Sequence, residues 1–562
     1  MTLARDESYI GLSTKKSIHL IAQILGILKS GKAYLPLDPE YPVQRQQYMI
    51  ENSNLKFILD DGSFGRHWET LGLKLIGSLN VERSNTQIKT ENDATAAILF
   101  TSGSTGNPKG VQLGHLGLCQ NIEFQSTYPC LGPKVKTIQY AHLAFDGAIL
   151  EIFNTLWTGG ELHLMEEIQR LDNFQLLKYI ENNKINRVFL PKVILNSLIE
   201  DALSAGLELD SLTEITTAGE LLKITPSIRC FFSKAKNAYL KNAYGPTEAS
   251  VCVTEFVLDS DPQEWPDIPS IGTPVTGSEI WVLDEMLNQV QDGQIGELYI
   301  SGSSLAIGYL NRPDLTEERF IYWFSPNSEI IRLYKTGDLV LKDSQGLFHF
   351  KGRGDDQIKI RGNRVELGEI ELALGNLEGI KQAVVKLAID DFGQKFLSAY
   401  LNTDTMVDLG CVKKQLKKIL PDYMIPEIFM VLKEFPKTSS GKVDKLALPK
   451  PKQIRPDWMD ASIQAANDLE ADLIVIFKGT LIIDDFGTID NFFEFGGNSI
   501  KAQQVLFQLR NLFGIEIPIA KLYQFPTVRG LSNYISKAGS SQKSQSNKEV
   551  PILRNKKILI YK

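Results

Sequence analysis

The chain has 562 residues, more than one hydrophobic core usually serves, so we expect several domains. Hydrophobic residues make up 43% and charged residues 23%, as in soluble globular proteins, and the formal net charge of −7 argues against a general nucleic-acid binder. The five cysteines show no CxxC spacing, which argues against a disulfide framework or a zinc site and favours a reducing compartment.

The N-terminal segment carries charges where a signal peptide needs an apolar run, so we expect a cytoplasmic protein. The early stretch IHLIAQILGILKSG is too short to cross a bilayer, and its apolar residues recur at helical spacing. We therefore predict an amphipathic helix that is ended by Gly31.

Short β-rich runs alternate with helical patterns from the N-terminus to about residue 350. Helical stretches such as NFQLLKYIENN lie between these runs, and the alternation predicts an α/β domain whose sheets are covered by helices. The predicted strands include residues 96–100, 186–191, 212–219 and 296–302.

The composition changes twice beyond this region, so we predict an α/β multi-domain chain. FHFKGRGDDQIKIRGNRVELGEIELAL predicts a strand, a charged turn, a second strand and a helix start, which together open a small α+β domain. LPKPKQIRPDW is typical of a linker, and the helical patterns after it predict a small bundle of the four-helix type. The expected parts are a core at 1–352, a small domain at 353–450, a linker at 451–464, a bundle at 465–537 and a flexible tail at 538–562.

The segment FTSGSTGNPKG, residues 100–110, concentrates glycines, hydroxyl side chains and one lysine. It follows an apolar run that predicts a core strand, so a flexible linker is a poor explanation. Free backbone N–H groups, hydroxyls and an ammonium group bind phosphate together, although the residue order differs from the Walker pattern. The candidate polyphosphate ligands are Thr101, Ser102, Gly103, Ser104, Thr105, Gly106 and Lys109.

Further motifs follow this loop along the chain, namely NAYGPTEAS, YKTGDL, GRGDDQIKIRGNRVELGEIE and PKTSSGKVDK. The ordered set resembles the adenylate-forming superfamily. With LKSGKAYLPLDPEYP, LAFDGAILEIF and LPDYMIP, it is similar to the adenylation domain of nonribosomal peptide synthetases over about residues 8–450. The resemblance implies a large adenylate-forming core, a small mobile domain, and an AMP-forming ligase that uses ATP and Mg²⁺.

The segment DNFFEFGGNSIKAQQV opens a predicted helix in the last domain, and Ser499 is a typical residue for a helix start. Its Asp-x-Phe-Phe and Gly-Gly-x-Ser arrangement also resembles a peptidyl carrier protein. That resemblance implies that Ser499 carries a covalent 4′-phosphopantetheine arm. A helix N-terminus suits the phosphodiester of such an arm, because the helix dipole and free N–H groups favour an anion there.

The resemblance also implies that the small domain rotates about Asp355 between two half-reactions. Lys442 would act in the first, and residues 358–362 would line the path of the arm in the second. Phe350 stands where the family often has tyrosine, so a hydroxyl contact to the nucleotide is expected to be absent. The implied roles are Thr247 on the α-phosphate, Glu248 on Mg²⁺, Asn242 and Tyr244 on adenine, Asp338 on the ribose with Arg353 nearby, and Lys442 between the substrate carboxylate and the α-phosphate.

Asp146 matches the family position that pairs with an α-ammonium group, which favours an α-amino acid as the substrate. We expect the rest of the pocket to be apolar, so that a charged substrate side chain would be buried without a partner. Small residues leave room, and we predict a large neutral side chain, phenylalanine-like first and aliphatic second. The pattern is similar to cyanobacterial synthetases, including phenylpropanoid-loading modules of the microcystin-synthetase type. The matching positions are Asp146, Gly147, Leu150, Phe189, Thr216, Ala218, Ala243, Val251, Cys252 and Lys442.

Two other functions share parts of this pattern. An acyl-CoA ligase or an aryl- or acyl-acid loading enzyme would share the phosphate loop and Lys442, and a degenerate scaffold would only dock the carrier. The expected partners are a small carboxylic or amino acid, a phosphopantetheinyl transferase and downstream synthetase domains, with no nucleic acid and no membrane. Since the chain starts close to its first predicted helix, we expect a short N-terminal region, as in a loading module or an excised fragment.

Overall fold

The structure is a computed structural model that forms two compact units, Met1–Pro451 and Lys452–Lys562. The boundaries that we predict within the first unit and around the linker stay predictions. The described residues are 7–76, 91–103, 106–128, 130–355, 357–360, 362–389, 395–404, 407–438, 443–451, 461–481, 483–497, 499–515 and 517–542.

The first unit alternates strands and helices, as its sequence predicts. Its strands are β1 Tyr9–Ser13, β2 Ala33–Leu37, β3 Phe57–Leu59, β4 Lys74–Leu75, β5 Thr95–Thr101, β6 Lys109–Gly114, β7 Lys136–Gln139, β8 Glu161–Leu164, β9 Arg187–Pro191, β10 Glu214–Ala218, β11 Tyr239–Tyr244, β12 Thr254–Leu258, β13 Thr273–Pro274, β14 Glu279–Leu283, β15 Ile295–Ser301, β16 Gly308–Tyr309, β17 Phe320–Phe324, β18 Ile330–Lys342, β19 Phe348–Arg353, β20 Gln357–Ile360, β21 Asn363–Glu366, β22 Ile380–Ile389, β23 Lys395–Thr403 and β24 Ile428–Val431.

Its helices cover the sheets. They are α1 Ile18–Lys29, α2 Val43–Ser53, α3 Gly65–Thr70, α4 His115–Ser126, α5 Gly147–Trp157, α6 Glu167–Arg170, α7 Asn173–Asn183, α8 Lys192–Ala205, α9 Pro226–Lys234, α10 Pro313–Arg319, α11 Leu367–Gly375 and α12 Leu409–Leu416, with 3-10 turns at Thr247–Ala249 and Asp422–Met424.

Two large sheets and one smaller sheet hold most of the strands. Their orders are β16-β6-β5-β2-β1-β3-β4, β13-β12-β11-β10-β9-β7-β8, and β14-β15-β18-β17 with β19 on β18. In the second sheet, β9, β10 and β11 are parallel neighbours. Because the carboxyl ends of parallel strands meet at one edge, the segments that follow these strands come together there.

Local chemistry accounts for several element ends. Helix α1 begins after Ser17, whose side chain accepts a hydrogen bond from the Leu20 N–H. It is followed by Gly31 at φ +69, which confirms the predicted glycine stop. Helix α7 begins after Asp172, which accepts hydrogen bonds from two backbone N–H groups of the first turn.

The segment after β19 differs from its prediction in one respect. The sequence predicts one strand between β19 and α11. The structure has two strands there, β20 and β21, which form a separate antiparallel hairpin. Gly362 lies between these strands and has φ +80, a conformation that glycine adopts without strain. We call this pair of strands the hairpin, residues 357–366, of which residue 361 lies outside the described part. The strands β22, β23 and β24 form a separate three-stranded sheet.

The second unit is a helical bundle, as predicted. Its helices are α13 Asp468–Leu481, α14 Ser499–Phe513, α15 Ile519–Gln524 and α16 Val528–Gln542. Its core contains an aromatic cluster that includes Phe477, Phe486 and Phe492. Helix α16 continues to Gln542, past the expected end of the bundle at residue 537. None of the helices in the described ranges is long and apolar enough to cross a membrane.

Candidate functional site

The phosphate loop is the connection between the antiparallel neighbours β5 and β6, which pair Thr101 with Lys109. Gly103 cannot be replaced without rearrangement, because a Cβ there would lie 2.0 Å from the Asn107 carbonyl oxygen. Gly106 has φ +86, which also favours glycine. The buried Thr101 hydroxyl has no hydrogen-bond partner among the described residues, as expected for a group that awaits a ligand. Ser104 and Thr105 lie outside the described residues.

Lys109 and Glu248 form a buried ion pair at this loop, with 3.1 Å between Nζ and Oε1. The Tyr309 hydroxyl donates to Glu248 Oε1 at 2.7 Å, and Arg364 Nη1 lies 2.6 Å from Glu248 Oε2. Burial alone would raise the pKa of Glu248, but Arg364 and Lys109 outweigh it and lower that pKa. The structure thus brings the loop lysine to the predicted magnesium ligand and keeps that carboxylate charged, as a ligand of a hard cation must be. Lys109 and Arg364 occupy its two oxygens in this arrangement, so Mg²⁺ would have to replace one of these contacts.

Thr247 and Asp146 are direct neighbours, although 101 positions separate them in the chain. The Thr247 hydroxyl donates to Asp146 Oδ2 at 2.7 Å. Asp146 immediately precedes α5, and burial raises the pKa of its carboxyl group although the Thr247 hydrogen bond opposes that change. The group predicted to bind an ammonium ion therefore lies beside the group predicted to contact the α-phosphate.

One large cavity joins these parts, with about 1610 Å³ of space including its opening to solvent. The predicted site residues on its wall are Thr101, Ser102, Asp146, Gly147, Phe189, Ala218, Thr247, Val251, Asp338 and Arg353.

A neighbouring cavity of about 1010 Å³ collects the residues predicted to hold adenine and ribose, together with Phe350. The predicted residues are Asn242, Tyr244, Asp338 and Arg353. Tyr244 donates to Asp338 Oδ2 at 2.5 Å, and Arg353 pairs with the other Asp338 oxygen. The Asn242 amide donates to the Ser270 carbonyl oxygen at 2.7 Å. Phe350 has no hydroxyl to offer at this wall, in line with the departure noted in the sequence.

Arg353 also holds the predicted hinge residue. Its Nε and Nη2 atoms lie 2.7 and 2.8 Å from the two carboxylate oxygens of Asp355, just after β19. The bidentate pair fixes the strand end from which the next segment departs. Rotation about Asp355 stays a prediction.

The predicted substrate positions line a third cavity, of about 500 Å³ including open space, which shares Phe189, Ala218 and Val251 with the large one. The family positions on its wall are Leu150, Phe189, Thr216, Ala218, Ala243, Val251 and Cys252. Our expectation that the rest of this pocket is apolar is wrong. Charged and amide side chains also line it, namely Gln125, Glu151, Asn154, Arg187, Glu214, Lys241 and Glu255.

The strand pattern contains a signal for the missed charges. Side chains two apart in a strand share a face, so Glu214 lies on the same face as Thr216 and Ala218, and Lys241 on the same face as Ala243. Reading only the family positions leaves out the residues that lie two positions before them on the same strand face. The charged groups pair with one another because the register brings the strands side by side.

The hairpin 357–366 contributes residues that sequence reasoning did not place in the site. Lys359 and Arg364 line the large cavity, and the Ser102 hydroxyl donates to the Arg364 carbonyl oxygen at 2.9 Å. Burial lowers the pKa of Lys359, against the opposing attraction of nearby carboxylates. The resemblance implies for residues 358–362 only a position along the path of the arm.

Helix α11 anchors the hairpin to the core. Glu369 Oε1 lies 2.9 Å from Arg45 Nη1 in a buried ion pair, and Glu369 Oε2 accepts a hydrogen bond from the Gly103 N–H at 3.1 Å. The small domain thus contacts the phosphate loop directly. Lys442, which the sequence places in the site, lies outside the described residues.

Ser499 is the first residue of α14, as predicted, and its side chain lies outside the described part. The two glycines before it are required by the backbone, because Gly496 has φ +81 and a Cβ on Gly497 would lie 2.3 Å from Phe492 Cδ1. These constraints fix a tight turn ahead of a 15-residue helix, an arrangement that fits a phosphodiester at the N-terminus.

The comparisons with known proteins agree with this geometry. The chain matches AMP-binding enzymes over residues 4–310 and the phosphopantetheine attachment site over residues 472–535. Gramicidin S synthase 2 of Brevibacillus brevis is 35% identical over 539 residues, covering 95% of this chain and 12% of the relative. Tyrocidine synthase 2 of Brevibacillus parabrevis is 35% identical over 536 residues, covering 94% and 15%. The chain therefore spans only a small part of these relatives.

A solved nonribosomal peptide synthetase protein, which contains adenylation and PCP domains and is bound to a vinylsulfonamide inhibitor, has a TM-score of 0.79 to this chain. It is 25% identical, and the match covers 94% of this chain and 88% of that one. The likeness extends over both compact units, from the sheets of the first to the helices of the second. The chain belongs to the AMP-binding enzyme family, as a nonribosomal peptide synthetase adenylation domain joined to a peptidyl carrier domain.

Proposed function

We propose that this chain activates an α-amino acid with ATP and then transfers the aminoacyl group, as a thioester, to its own carrier domain. The observation that carries the proposal is the 2.7 Å contact between Asp146 and Thr247 in a cavity that also reaches Thr101 and Asp338. One ternary complex would then contact the carboxylate that binds the ammonium group, the α-phosphate ligand, the phosphate loop and the ribose ligand.

In the first half-reaction the substrate carboxylate attacks the α-phosphate of ATP and pyrophosphate leaves. A carboxylate is already a nucleophile, so the protein needs no general base and acts by positioning and by neutralising charge. Thr247 would orient the α-phosphate, while Lys109 and the loop amides hold the departing phosphates. Lys442 would bridge the two reacting groups. Mg²⁺ on Glu248 would supply further charge neutralisation.

In the second half-reaction the aminoacyl group is transferred from AMP to the carrier, and AMP is released. The phosphopantetheine arm on Ser499 supplies the thiol that accepts it. The hairpin 357–366 lines the cavity with Lys359 and Arg364, and we assign this arrangement to the transfer step. Rotation about Asp355 would withdraw the hairpin and bring Lys442 to the site for the first step.

The substrate class that we propose is an α-amino acid with a large neutral side chain, aromatic first and aliphatic second. Gly147, Ala218 and Ala243 leave space in the pocket, and the buried carboxylate of Asp146 provides a partner for the ammonium group. The proposed partners are a phosphopantetheinyl transferase and further synthetase domains. The proposed location is the cytoplasm, where ATP is available.

A panel of acids in ATP–pyrophosphate exchange tests the proposed function. We expect exchange with one or a few large neutral amino acids and none with the matching acids that lack the amine. Exchange with fatty or aryl acids only would favour a ligase or an acid-loading enzyme. No exchange with any acid, from a folded preparation, would favour the scaffold that only docks the carrier.

Asp146→Asn should weaken binding of the amino acid by several kcal/mol, because a buried ammonium group loses its charge partner. The des-amino analogue, which offers no ammonium group, should lose much less. Inhibition of exchange by the analogue and KM values for the amino acid measure the two effects on one preparation. An equal loss for both compounds would mean that Asp146 only supports the structure.

Arg364→Met should slow transfer to the carrier about 10- to 100-fold, the range expected for one lost hydrogen bond between charged groups. The reason is the 2.6 Å contact to Glu248, which helps to hold the hairpin in the cavity. Adenylate formation should change little. Single-turnover measurements of both half-reactions would check this.

Arg312→Met is the matched control, because Arg312 forms a solvent-exposed ion pair with Asp314. It should leave both half-reactions near the wild-type rates. If Arg364→Met slows adenylate formation as much as transfer, then the arrangement with the hairpin in the cavity is not specific to the transfer step.

A further inference from the structure

A group of buried polar side chains forms the inner wall of the substrate pocket. We call it the pocket charge network, and its members are Gln125, Arg187, Glu214, Lys241 and Glu255. All are at most 7% exposed, and none belongs to the ten positions that match the family's substrate pocket. The network shares a cavity with seven of those positions, so a substrate side chain that enters past Phe189 faces it.

The sheet register explains why the network faces the pocket. Thr216 is paired with Phe189 on one side and with Lys241 on the other. Ala243 is paired with Glu255 on the antiparallel strand β12. Paired residues on adjacent strands point to the same face, so the charges and the pocket positions form one surface.

The contacts balance the charges within the network. Arg187 Nη2 lies 2.6 Å from Glu214 Oε1, and Lys241 Nζ lies 3.4 Å from Glu214 Oε2 and 3.8 Å from Glu255 Oε2. Burial would raise the pKa of Glu214, but Arg187 and Lys241 outweigh it and hold the pKa well below its usual value. Two cations and two carboxylates therefore leave no net charge within the network. Glu151, a third carboxylate on the cavity wall, accepts hydrogen bonds from the Gln139 amide and the Ala141 N–H outside the network. A charged substrate side chain would upset the balance within the network at a high cost.

Lys241 makes one short hydrogen bond and several longer contacts. An ammonium group has three N–H donors, and Lys241 directs one to the Gln125 amide oxygen at 3.0 Å. Its contacts to the carboxylates are longer, and its Nζ lies 3.7 Å from the centre of the Tyr128 ring. A neutral acceptor on the substrate would compete with these longer carboxylate contacts for a further N–H, and it would leave the charge balance of the network unchanged.

We propose that Lys241 determines specificity, selecting an amino acid whose large neutral side chain ends in a hydrogen-bonding group, such as a phenol or a carboxamide, over its hydrocarbon analogue. This inference rests on the proposed function and refines its substrate class. A hydrocarbon end group would cover the Lys241 ammonium without accepting a hydrogen bond from it. A polar end group accepts one, and the difference between the two is the source of the selectivity.

The test compares two matched pairs of substrates, tyrosine with phenylalanine and glutamine with methionine, by kcat/KM in ATP–pyrophosphate exchange. In the wild-type chain we expect the polar member of at least one pair to be favoured about 10- to 100-fold, the range for one hydrogen bond to a charged group. The proposal is overturned if phenylalanine and methionine are activated as well as, or better than, their polar partners.

The decisive variant is Lys241→Met combined with Glu255→Gln, which removes one charge of each sign and keeps the network neutral. In the double variant, the ratio of the two kcat/KM values within the favoured pair should fall to near one. Lys342→Met changes a half-exposed surface lysine and should keep the wild-type ratio. Thermal unfolding of each variant reports whether it is folded. An unchanged preference in the folded double variant would show that the network only supports the sheet.

Direct binding separates failure of this inference from failure of the proposed function. Aminoacyl-sulfamoyl adenosines mimic the adenylate without reacting, and their dissociation constants can be measured by calorimetry. Tighter binding of the polar analogue to wild type, lost in the double variant, supports the role of Lys241. Equal binding of both analogues refutes that role and leaves amino-acid activation in place. Binding of neither analogue refutes both.

Discussion

Ser499→Ala should abolish loading of the carrier while leaving adenylate formation intact. The hydroxyl oxygen of Ser499 is the side-chain atom that can form the phosphodiester bond, and alanine has no hydroxyl group. After treatment with coenzyme A and a phosphopantetheinyl transferase, the intact mass of the wild-type chain should rise by one phosphopantetheine group. The variant should keep its mass and still exchange pyrophosphate at the wild-type rate, because the first half-reaction does not use the arm.

Ser536→Ala is the matched control for this experiment, because Ser536 is an exposed serine on α16 of the same unit. It should be modified as fully as the wild-type chain. The assignment of Ser499 fails if the Ser499→Ala variant still gains the mass of the arm, or if the Ser536→Ala variant does not.

Lys442→Ala should slow pyrophosphate exchange by about 10²–10³ or more, because its ammonium would neutralise charge that builds between the substrate carboxylate and the α-phosphate. The same variant should transfer a pre-made aminoacyl-adenylate to the Ser499 arm at near the wild-type rate. The reason is the proposed rotation about Asp355, which withdraws Lys442 when the hairpin enters the cavity. Rapid-quench measurements of both half-reactions on one preparation would check the split.

Lys437→Ala is the control here, since Lys437 is an exposed lysine in the same segment. Both half-reactions should be unaffected by it. The Arg364→Met variant should show the opposite split from Lys442→Ala, with transfer slowed and exchange preserved. If Lys442→Ala slows both half-reactions by the same factor, the lysine acts in both, and the model of two alternating arrangements is wrong for this chain.

The motifs alone identify the class of chemistry, because each is a contiguous segment whose own backbone creates its ligand groups. Gly103 and Gly106 shape the phosphate loop through contacts within the loop and their own dihedral angles. Likewise, Gly496 and Gly497 shape the turn before Ser499 through local contacts. Strand and helix patterns also predict the α/β core and the helical carrier, because each periodicity is a local property of the chain.

The environment of each site residue, in contrast, cannot be predicted from a motif, because it depends on groups far away in the sequence. Glu369 reaches Arg45 across 324 positions and Gly103 across 266, and neither contact leaves a trace in a motif. The same holds for Glu248, whose charge state depends on Lys109 and on Arg364 of the hairpin. The sequence therefore indicates which groups react, whereas the folded structure decides their partners.

The substrate pocket shows this division most clearly. The sequence determines which residues share a strand face, because side chains alternate along each strand, and Lys241 could have been grouped with Ala243 on that ground. It does not determine the register between β10, β11 and β12, which pairs Lys241 with Thr216 and Ala243 with Glu255. Only the tertiary structure makes the inner wall polar, because the charges of the network pair only after strands distant in the chain pack side by side.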